Sequence, residues 1–466
     1  MNAITRAAGG TISFADATIA DTDTANAAGT GILGGWATLG NDWAINSTAG
    51  LDAPITALSS YTGTLPSMLS AVTTANYTLT GPQTQTAAVS ANTVKIANSG
   101  NSQTLTLGAN NLTITALGGL LYVGGNDSNY TISGTGIVGT PAGELIITTV
   151  SGTTLNMSAP IIGNGAGILT KTGAGTLVLN GASLYTGATY VNQGTLRLAN
   201  ATAAGTVAGT IYVQNGAALE LVGGITIGAK PITTVGTGVS SQGALSNYSG
   251  TNTYTGAITV GTGGALIKSV SGLLTLGGAI ATSLGNDLIF DGTGDVTVTN
   301  VISGAGRVIK NGTGTLTLTT NNTYSGATLI NEGTLVGVVG GSCSNSAVTV
   351  ASAGALGVSV TDNSKKWTCA SLALNNGSQL KFNFTGTPST TVAPLNILGS
   401  LTFSGTPTIV VSPSNTAPGT YPLLTVGGSA PTSVPTLTGV SYGKLAWIGN
   451  TLWLTIVPAP TVITFF

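Results

Sequence analysis

The sequence predicts an all-β protein, built as a solenoid of short stacked strands. Residues 167–196 reappear without gaps as residues 306–335, and half of the aligned positions are identical. Through most of the chain, apolar residues alternate with polar ones, as in the segments TLTL, TLVL and LKFNF. Such alternation is typical of half-buried strands. Charged residues make up only 5% of the chain and 70 residues are glycine, which favours uncharged strands joined by glycine turns.

The positions kept between the two copies are turn glycines and alternating apolar residues. A third, weaker copy lies between them at residues 252–266. A unit of this kind cannot bury its apolar face alone, so copies must stack on their neighbours. The one chemically reactive side chain kept in both strong copies is a lysine, at Lys171 and Lys310. The repeat therefore indicates a shape more clearly than a chemistry.

Composition divides the chain into four segments. Residues 1–83 form a leading or capping segment that carries two tryptophans, and residues 84–390 hold the solenoid with its three copies. Residues 391–457 are rich in proline and form a β-rich C-terminal region, in which the Gly-Asn pair at 449–450 predicts a closing hairpin. Residues 458–466 are an apolar tail flanked by proline.

Two stretches of the repeat carry a family resemblance. The first reads GAGTLVLNGASLYTGATYVNQGTLRL, and the second reads GTGTLTLTTNNTYSGATLINEGTL. They resemble the autotransporter-associated β-strand repeat, also called the passenger-associated transport repeat. The resemblance implies a right-handed parallel β-helix that is secreted to the cell surface or beyond it. It carries no catalytic residues to transfer.

Composition also argues against several classes of function. The net charge is −1 and no basic run is present, whereas nucleic-acid binding depends on neutralising phosphates. No apolar stretch reaches the roughly 18 residues of a membrane helix, so no transmembrane segment is expected. The chain has no histidine, the commonest general base and metal ligand. We therefore predict a protein that is not an enzyme, with no catalytic residue and no cofactor.

Acidic residues are too scattered to predict a metal site. The densest set is Asp16, Asp21 and Asp23, which we keep only as weak candidate ligands. Asp287 and Asp291 lie in the segment NDLIFDGTGD. There the DG and GD pairs favour turns over a calcium site.

The two cysteines, Cys343 and Cys369, are candidates for a disulfide. They lie 26 residues apart, which is about one coil of a β-solenoid, so they are expected to meet on adjacent coils. A disulfide suits a secreted protein. Two free thiols are the alternative.

Three tyrosines recur at nearly equal spacing in the copies, at Tyr185, Tyr254 and Tyr324. They are expected to pack against one another within one face of the solenoid. The alternative is an exposed row that stacks against sugars.

The function favoured by these observations is an extracellular structural subunit that joins copies of itself into a filament or surface layer. The apolar tail is expected to add as a strand to a neighbouring subunit. Its assembly residues are Thr461, Val462, Ile463, Thr464, Phe465 and Phe466. The alternative is a surface adhesin that binds glycans or proteins along the face of the helix. A polysaccharide-active enzyme ranks third, because it needs an acidic cleft.

Overall fold

The fold is all β, as predicted. The computed structural model describes residues 4–458 except 18–19, 49–52, 69–71, 99, 101, 126–127, 140–142, 163–164, 284 and 413–416. The described residues form short strands and a single 3-10 turn at Val239–Ser241. The chain divides into two compact units, Met1–Ser246 and Asn247–Phe466. Within the described residues, no helix is long and apolar enough to cross a membrane.

The first unit begins with a small five-stranded sheet, here called the N-terminal sheet. Its strands are β1 (Ile12–Phe14), β2 (Asp21–Thr22), β3 (Ala37–Leu39), β4 (Asp42–Asn46) and β5 (Ala53–Ala57). Strands β1 and β3 run parallel, and the other pairs are antiparallel. Phe14, Leu33, Ala37, Ala44 and Ile55 form its buried core.

The rest of the first unit is a solenoid of parallel strands. Its strands are β6 (Gly63–Thr64), β7 (Asn76–Leu79), β8 (Gln83–Thr84), β9 (Val89–Asn98), β10 (Gln103–Thr106), β11 (Leu112–Gly124), β12 (Ser128–Ser133), β13 (Glu144–Thr149), β14 (Thr153–Met157), β15 (Ile168–Thr172), β16 (Thr176–Leu179), β17 (Thr189–Val191), β18 (Gly194–Leu198), β19 (Ile211–Val213), β20 (Ala217–Val222), β21 (Thr226–Ile227) and β22 (Ile232–Gly236). Strand β23 (Leu245–Ser249) spans the boundary between the two units.

Successive coils of the first unit stack in register. From β13 to β18, each strand pairs in parallel with the strand two places further along the chain. Leu155, Leu177, Leu196 and Leu219 face one another on consecutive coils, and each is fully buried. Because side chains alternate between the two faces of a strand, keeping every second residue apolar fills this column. The alternation seen in the sequence is therefore the core of the solenoid.

The second unit is also a solenoid of parallel strands. Its strands are β24 (Thr251–Tyr254), β25 (Ile258–Ser269), β26 (Leu273–Leu276), β27 (Ile280–Ala281), β28 (Leu288–Asp291), β29 (Asp295–Val298), β30 (Ile302–Ser303), β31 (Val308–Lys310), β32 (Thr315–Leu318), β33 (Thr328–Val338), β34 (Ser342–Val360), β35 (Trp367–Leu374), β36 (Gln379–Phe384), β37 (Leu395–Ile397), β38 (Leu401–Phe403), β39 (Thr408–Ser412), β40 (Gly419–Val426), β41 (Thr436–Thr438), β42 (Gly443–Ile448) and β43 (Thr451–Ile456).

The second unit has its own buried column and ends in antiparallel strands. The column contains Leu274, Val296, Leu316 and Leu335 on consecutive coils. Strands β42 and β43 form the predicted hairpin, and β43 also pairs antiparallel with β40. Gly449 takes a φ of 58° at the turn, a conformation that glycine adopts without strain. The β-solenoid predicted from the sequence is confirmed in each unit.

Candidate functional site

The lysine kept in the repeat closes a turn. Lys171 on β15 is fully buried, and its Nζ donates hydrogen bonds to three backbone carbonyls. The oxygens of Thr172 and Gly173, at 2.8 and 2.6 Å, belong to the turn that follows the lysine. The oxygen of Gln193, at 2.9 Å, lies on the next coil. The three protons of one ammonium thus match three carbonyls and connect two coils.

The second copy repeats this contact, which we call the lysine clamp. Lys310 Nζ donates to the carbonyls of Asn311, Gly312 and Glu332 at 2.7, 2.6 and 3.3 Å. Gly173 and Gly312, whose carbonyls are bound, have φ values of 74° and 69°. This left-handed turn conformation favours glycine, which explains why lysine and glycine are kept together.

Burial changes the acidity of both lysines. Desolvation lowers the pKa of Lys171 to about 7 and that of Lys310 to about 8, against the opposing effect of nearby acidic residues. A lysine with so low a pKa can act as a nucleophile in a catalytic site. Here the Nζ atoms are directed at carbonyl oxygens inside the wall of the coil, so the clamp is structural.

The repeated tyrosines are buried, and that they pack against one another within one face remains a prediction. Tyr185, Tyr254 and Tyr324 each have no exposed surface. The hydroxyl groups of Tyr185 and Tyr324 lie 2.6 and 2.7 Å from the hydroxyl groups of Thr189 and Thr328. Burial raises the pKa of all three tyrosines. None of the three can present its ring to a sugar.

Several charged side chains pair between successive coils. Arg197 lies opposite Glu220 on the next coil, with 2.8 Å between Nε and Oε2. Arg307 makes two hydrogen bonds to Asp287, which hold the pKa of that carboxyl below its usual range. Asp291 lies 3.9 Å from Lys268. Opposite charges on neighbouring strands stabilise the stack.

The weak metal candidates are not brought together. Among the residues that the structure describes, no group of three or more Cys, Asp or Glu side chains is placed to hold a metal ion. Asp16, Asp21 and Asp23 therefore do not form a ligand set. Asp21 lies on β2 opposite Pro54 of β5.

The two cysteines meet as their spacing predicts. Cys343 on β34 lies opposite Cys369 on β35, and both are buried free thiols. Burial raises the pKa of Cys343 to about 12 and that of Cys369 well above its ordinary value. Neither is a reactive thiolate. The disulfide remains a prediction.

The N-terminal sheet docks on the wall of the first unit through a buried carboxylate. Glu144, 7% exposed, pairs with Arg6 at 2.5 Å. Glu144 also accepts hydrogen bonds from the Gly9 N–H and the Thr170 hydroxyl. We call this group the Glu144 latch. Arg6 and Gly9 are distant from Glu144 in sequence, so no local sequence pattern predicts the Glu144 latch.

Further contacts fasten the N-terminal sheet to the same wall. Asn192 donates to the Gly9 carbonyl and to the Thr11 hydroxyl at 2.7 and 2.9 Å.

Strand β4 of the N-terminal sheet makes further contacts with the solenoid. Asp42 on β4 pairs with Lys95 on β9 at 2.5 Å. Trp43 is fully buried and packs with Leu121 of the solenoid. The sheet is therefore fixed against the coils by charge, hydrogen bonds and apolar packing.

A cleft remains where the N-terminal sheet meets the coils. It has a volume of about 240 Å³, and we call it the Trp36 cleft. Its lining residues are Ile12, Ser13, Trp36, Thr38, Gly40, Asn41, Thr148, Val150, Thr172, Gly173, Ala174 and Gln193. The sequence alone gives Trp36 no role, because the residues around it in the cleft come from separate parts of the chain.

The predicted assembly residues lie outside the described part of the chain. These are Thr461, Val462, Ile463, Thr464, Phe465 and Phe466. Their role therefore remains a prediction.

Comparison with known proteins agrees with the repeat architecture. The model of the passenger-associated transport repeat family matches residues 169–198 and 308–336. Over 224 residues, or 47% of its length, the chain is 34% identical to the adhesin BmaC autotransporter of Brucella suis biovar 1 (strain 1330). The chain covers 5% of that relative. No solved structure shows significant similarity to the chain.

Proposed function

We propose that this chain, an autotransporter-associated repeat protein, is an adhesive segment displayed at the bacterial surface. Its two copies of the passenger repeat are built into a β-solenoid that resembles an autotransporter passenger. The observation that carries the proposal is the 34% identity to an adhesin over nearly half of the chain. Adhesion was the alternative in the sequence analysis, and the comparisons favour it over filament formation.

The surface chemistry of the coils supports binding as the activity. Outward positions of the stacked strands carry Thr, Asn and Ser, as in Thr154, Asn156 and Thr176 on β14 and β16. Such side chains donate and accept hydrogen bonds without bringing a net charge. The two lysines of the clamp and the two thiols, in contrast, are buried. We propose that the chain acts by binding and not by catalysis.

Attachment of beads coated with the full chain tests the proposal. The beads are applied to wells of immobilised host glycoproteins and to bare wells, and beads coated with unfolded chain serve as the control. We expect saturable attachment to at least one glycoprotein that requires the folded chain. Equal attachment of folded and unfolded chain would contradict an adhesive role.

Assembly of the chain into filaments remains a separate proposal. The sequence argument for it rests on residues 458–466, an apolar tail flanked by proline. Electron microscopy of the full chain and of a variant without these residues tests it. We expect filaments only when the tail is present, and filaments of the same form without it would contradict the proposal.

A further inference from the structure

We propose that the Trp36 cleft binds one sugar residue of a neutral glycan. This inference rests on the adhesive function proposed above and assigns it a ligand class and a place.

The lining selects for an uncharged polar ligand. None of the residues that border the cleft carries a charge. Hydroxyl and amide groups come from both sides, with Thr38 and Asn41 on the N-terminal sheet and Thr172 and Gln193 on the coils. Such groups both donate and accept hydrogen bonds, as the hydroxyl groups of a sugar require. A phosphate or carboxylate ligand would find no cation in the lining.

Trp36 supplies the apolar platform that sugar binding needs. Its side chain is partly exposed and borders the Trp36 cleft as well as a second cavity of about 230 Å³ beside Arg6 and Ile12. It also packs on the core of the N-terminal sheet, which holds the indole in place. Aromatic rings combine a large apolar face with a fixed orientation, and a pyranose presents a matching face of C–H groups.

The lysine clamp of the first repeat builds the floor of the cleft. The three carbonyls that Lys171 binds belong to Thr172, Gly173 and Gln193, and all three residues line the cleft. The Thr11 hydroxyl joins the floor to the N-terminal sheet, 3.2 Å from the hydroxyl of Thr172. The floor is therefore fixed before any ligand arrives, which lowers the entropic cost of binding.

One hydroxyl in the cleft wall lacks a partner within the described chain. Thr148 lines the cleft and is 5% exposed, and its Oγ1 makes no hydrogen bond. A buried polar group without a partner is costly, and such groups concentrate at sites that serve a ligand or another function. The oxygen itself is buried, so a sugar hydroxyl reaches it only when the Thr148 side chain rotates toward the cleft.

A second, larger polar cavity, here called the groove, shares one lining residue with the cleft. Ala174 borders both the cleft and this cavity, which has a volume of about 510 Å³. The rest of the groove is lined by Asn129, Gly152, Thr153, Thr154, Asn156, Gly175 and Thr176, again without charge. We assign this groove to the sugars that follow the one held at Trp36, so the ligand is an oligosaccharide and not a single sugar.

Titration of neutral oligosaccharides into the full chain tests the inference. The probes are xylohexaose, maltohexaose, cellohexaose, mannohexaose and an N-acetylglucosamine hexamer, followed by calorimetry. We expect at least one probe to bind, with affinity falling roughly tenfold in Trp36→Ala and several-fold in Gln193→Ala. Trp36→Phe keeps an aromatic ring and should retain part of the affinity, which separates loss of the platform from loss of folding.

The second unit offers matched controls. Trp447→Ala removes a partly exposed tryptophan of the C-terminal hairpin. Glu332→Ala changes the side chain at the clamp position that corresponds to Gln193. Both variants should bind the probe as the unchanged chain does.

Failure of this inference can be distinguished from failure of the proposed function. If the chain adheres to glycoproteins but binds none of the probes, or binds one equally well in Trp36→Ala and Gln193→Ala, the cleft assignment is wrong and adhesion stands. If the chain adheres to nothing, the proposed function fails. Competition of bead attachment by the bound probe, lost in Trp36→Ala, would support both.

Discussion

Single residues explain why the repeat keeps a lysine. In both copies a buried ammonium binds two carbonyls of its own turn and one carbonyl of the next coil. The sequence showed that Lys171 and Lys310 recur, but their partners are backbone groups that leave no pattern in the side chains. The lysine is therefore kept in both copies because it holds two coils together, and not because it takes part in a reaction.

The lysine clamp predicts a pH dependence of stability. The pKa of Lys171 falls from 10.5 to about 7 on folding, so between these values the unfolded chain binds more protons. The free energy of unfolding should therefore rise with pH above about 7. Urea denaturation between pH 7 and 8.5 should show a steeper rise for the unchanged chain than for Lys171→Met.

The same measurement has a matched control in Lys444→Met, at an exposed lysine of β42. This variant should keep the pH dependence of the unchanged chain. The pH range ends at 8.5 because burial raises the pKa of the thiols of Cys343 and Cys369. At higher pH these thiols lower the free energy of unfolding, which opposes the effect of the lysine. If the free energy of unfolding rose equally with pH in Lys171→Met and in the unchanged chain, the lowered pKa of Lys171 would be contradicted.

The cysteine pair predicts a covalent link between two coils. Because Cys343 lies opposite Cys369 on neighbouring strands, a disulfide can form there under the oxidising conditions outside a cell. Closing a loop of this length should raise the free energy of unfolding by about 3.5 kcal/mol. Peptide mapping without reductant, with urea denaturation before and after reduction, measures both effects. Complete alkylation of both thiols in the unfolded, unreduced protein would contradict the link.

At the scale of elements, the coils were predictable and the N-terminal sheet was not. In the coils, every second side chain faces one core. The resulting two-residue period of apolar residues, and its repetition along the chain, can be read directly from the sequence. The N-terminal sheet is held by pairs such as Arg6 with Glu144 and Asp42 with Lys95, which join residues far apart in sequence. The Trp36 cleft exists only after this docking, so its residues could not be grouped from the sequence.

The Glu144 latch predicts that docking can be weakened without unfolding the coils. In Glu144→Gln the charge pairing with Arg6 is lost, and the docking should weaken by about 1–3 kcal/mol. Hydrogen exchange should become faster in β1, β3 and β4, while β15 to β20 keep their protection. Asp362→Asn, at an exposed acid paired with Lys365, serves as the control and should change neither region. Uniform loss of protection in both regions would show that the latch is not local.

At the scale of the whole molecule, the positions that stabilise the stack are distinct from those to which we assign the proposed binding. Repeated positions fill the buried column, the turns and the clamp, whereas most polar positions on the outside of the coils differ between copies. Outer positions can therefore diverge without loss of the stack. The N-terminal sheet adds a concave, uncharged surface that the repeats alone do not make.

The measurement that tests the central claim most directly is attachment by cells that display the chain. A bacterium that does not adhere is made to present the full chain and is counted on monolayers of host cells, with and without soluble chain as a competitor. We predict attachment above that of cells displaying Trp36→Ala, and saturable inhibition by the soluble chain. Attachment no greater than that of cells without the chain would contradict an adhesive role.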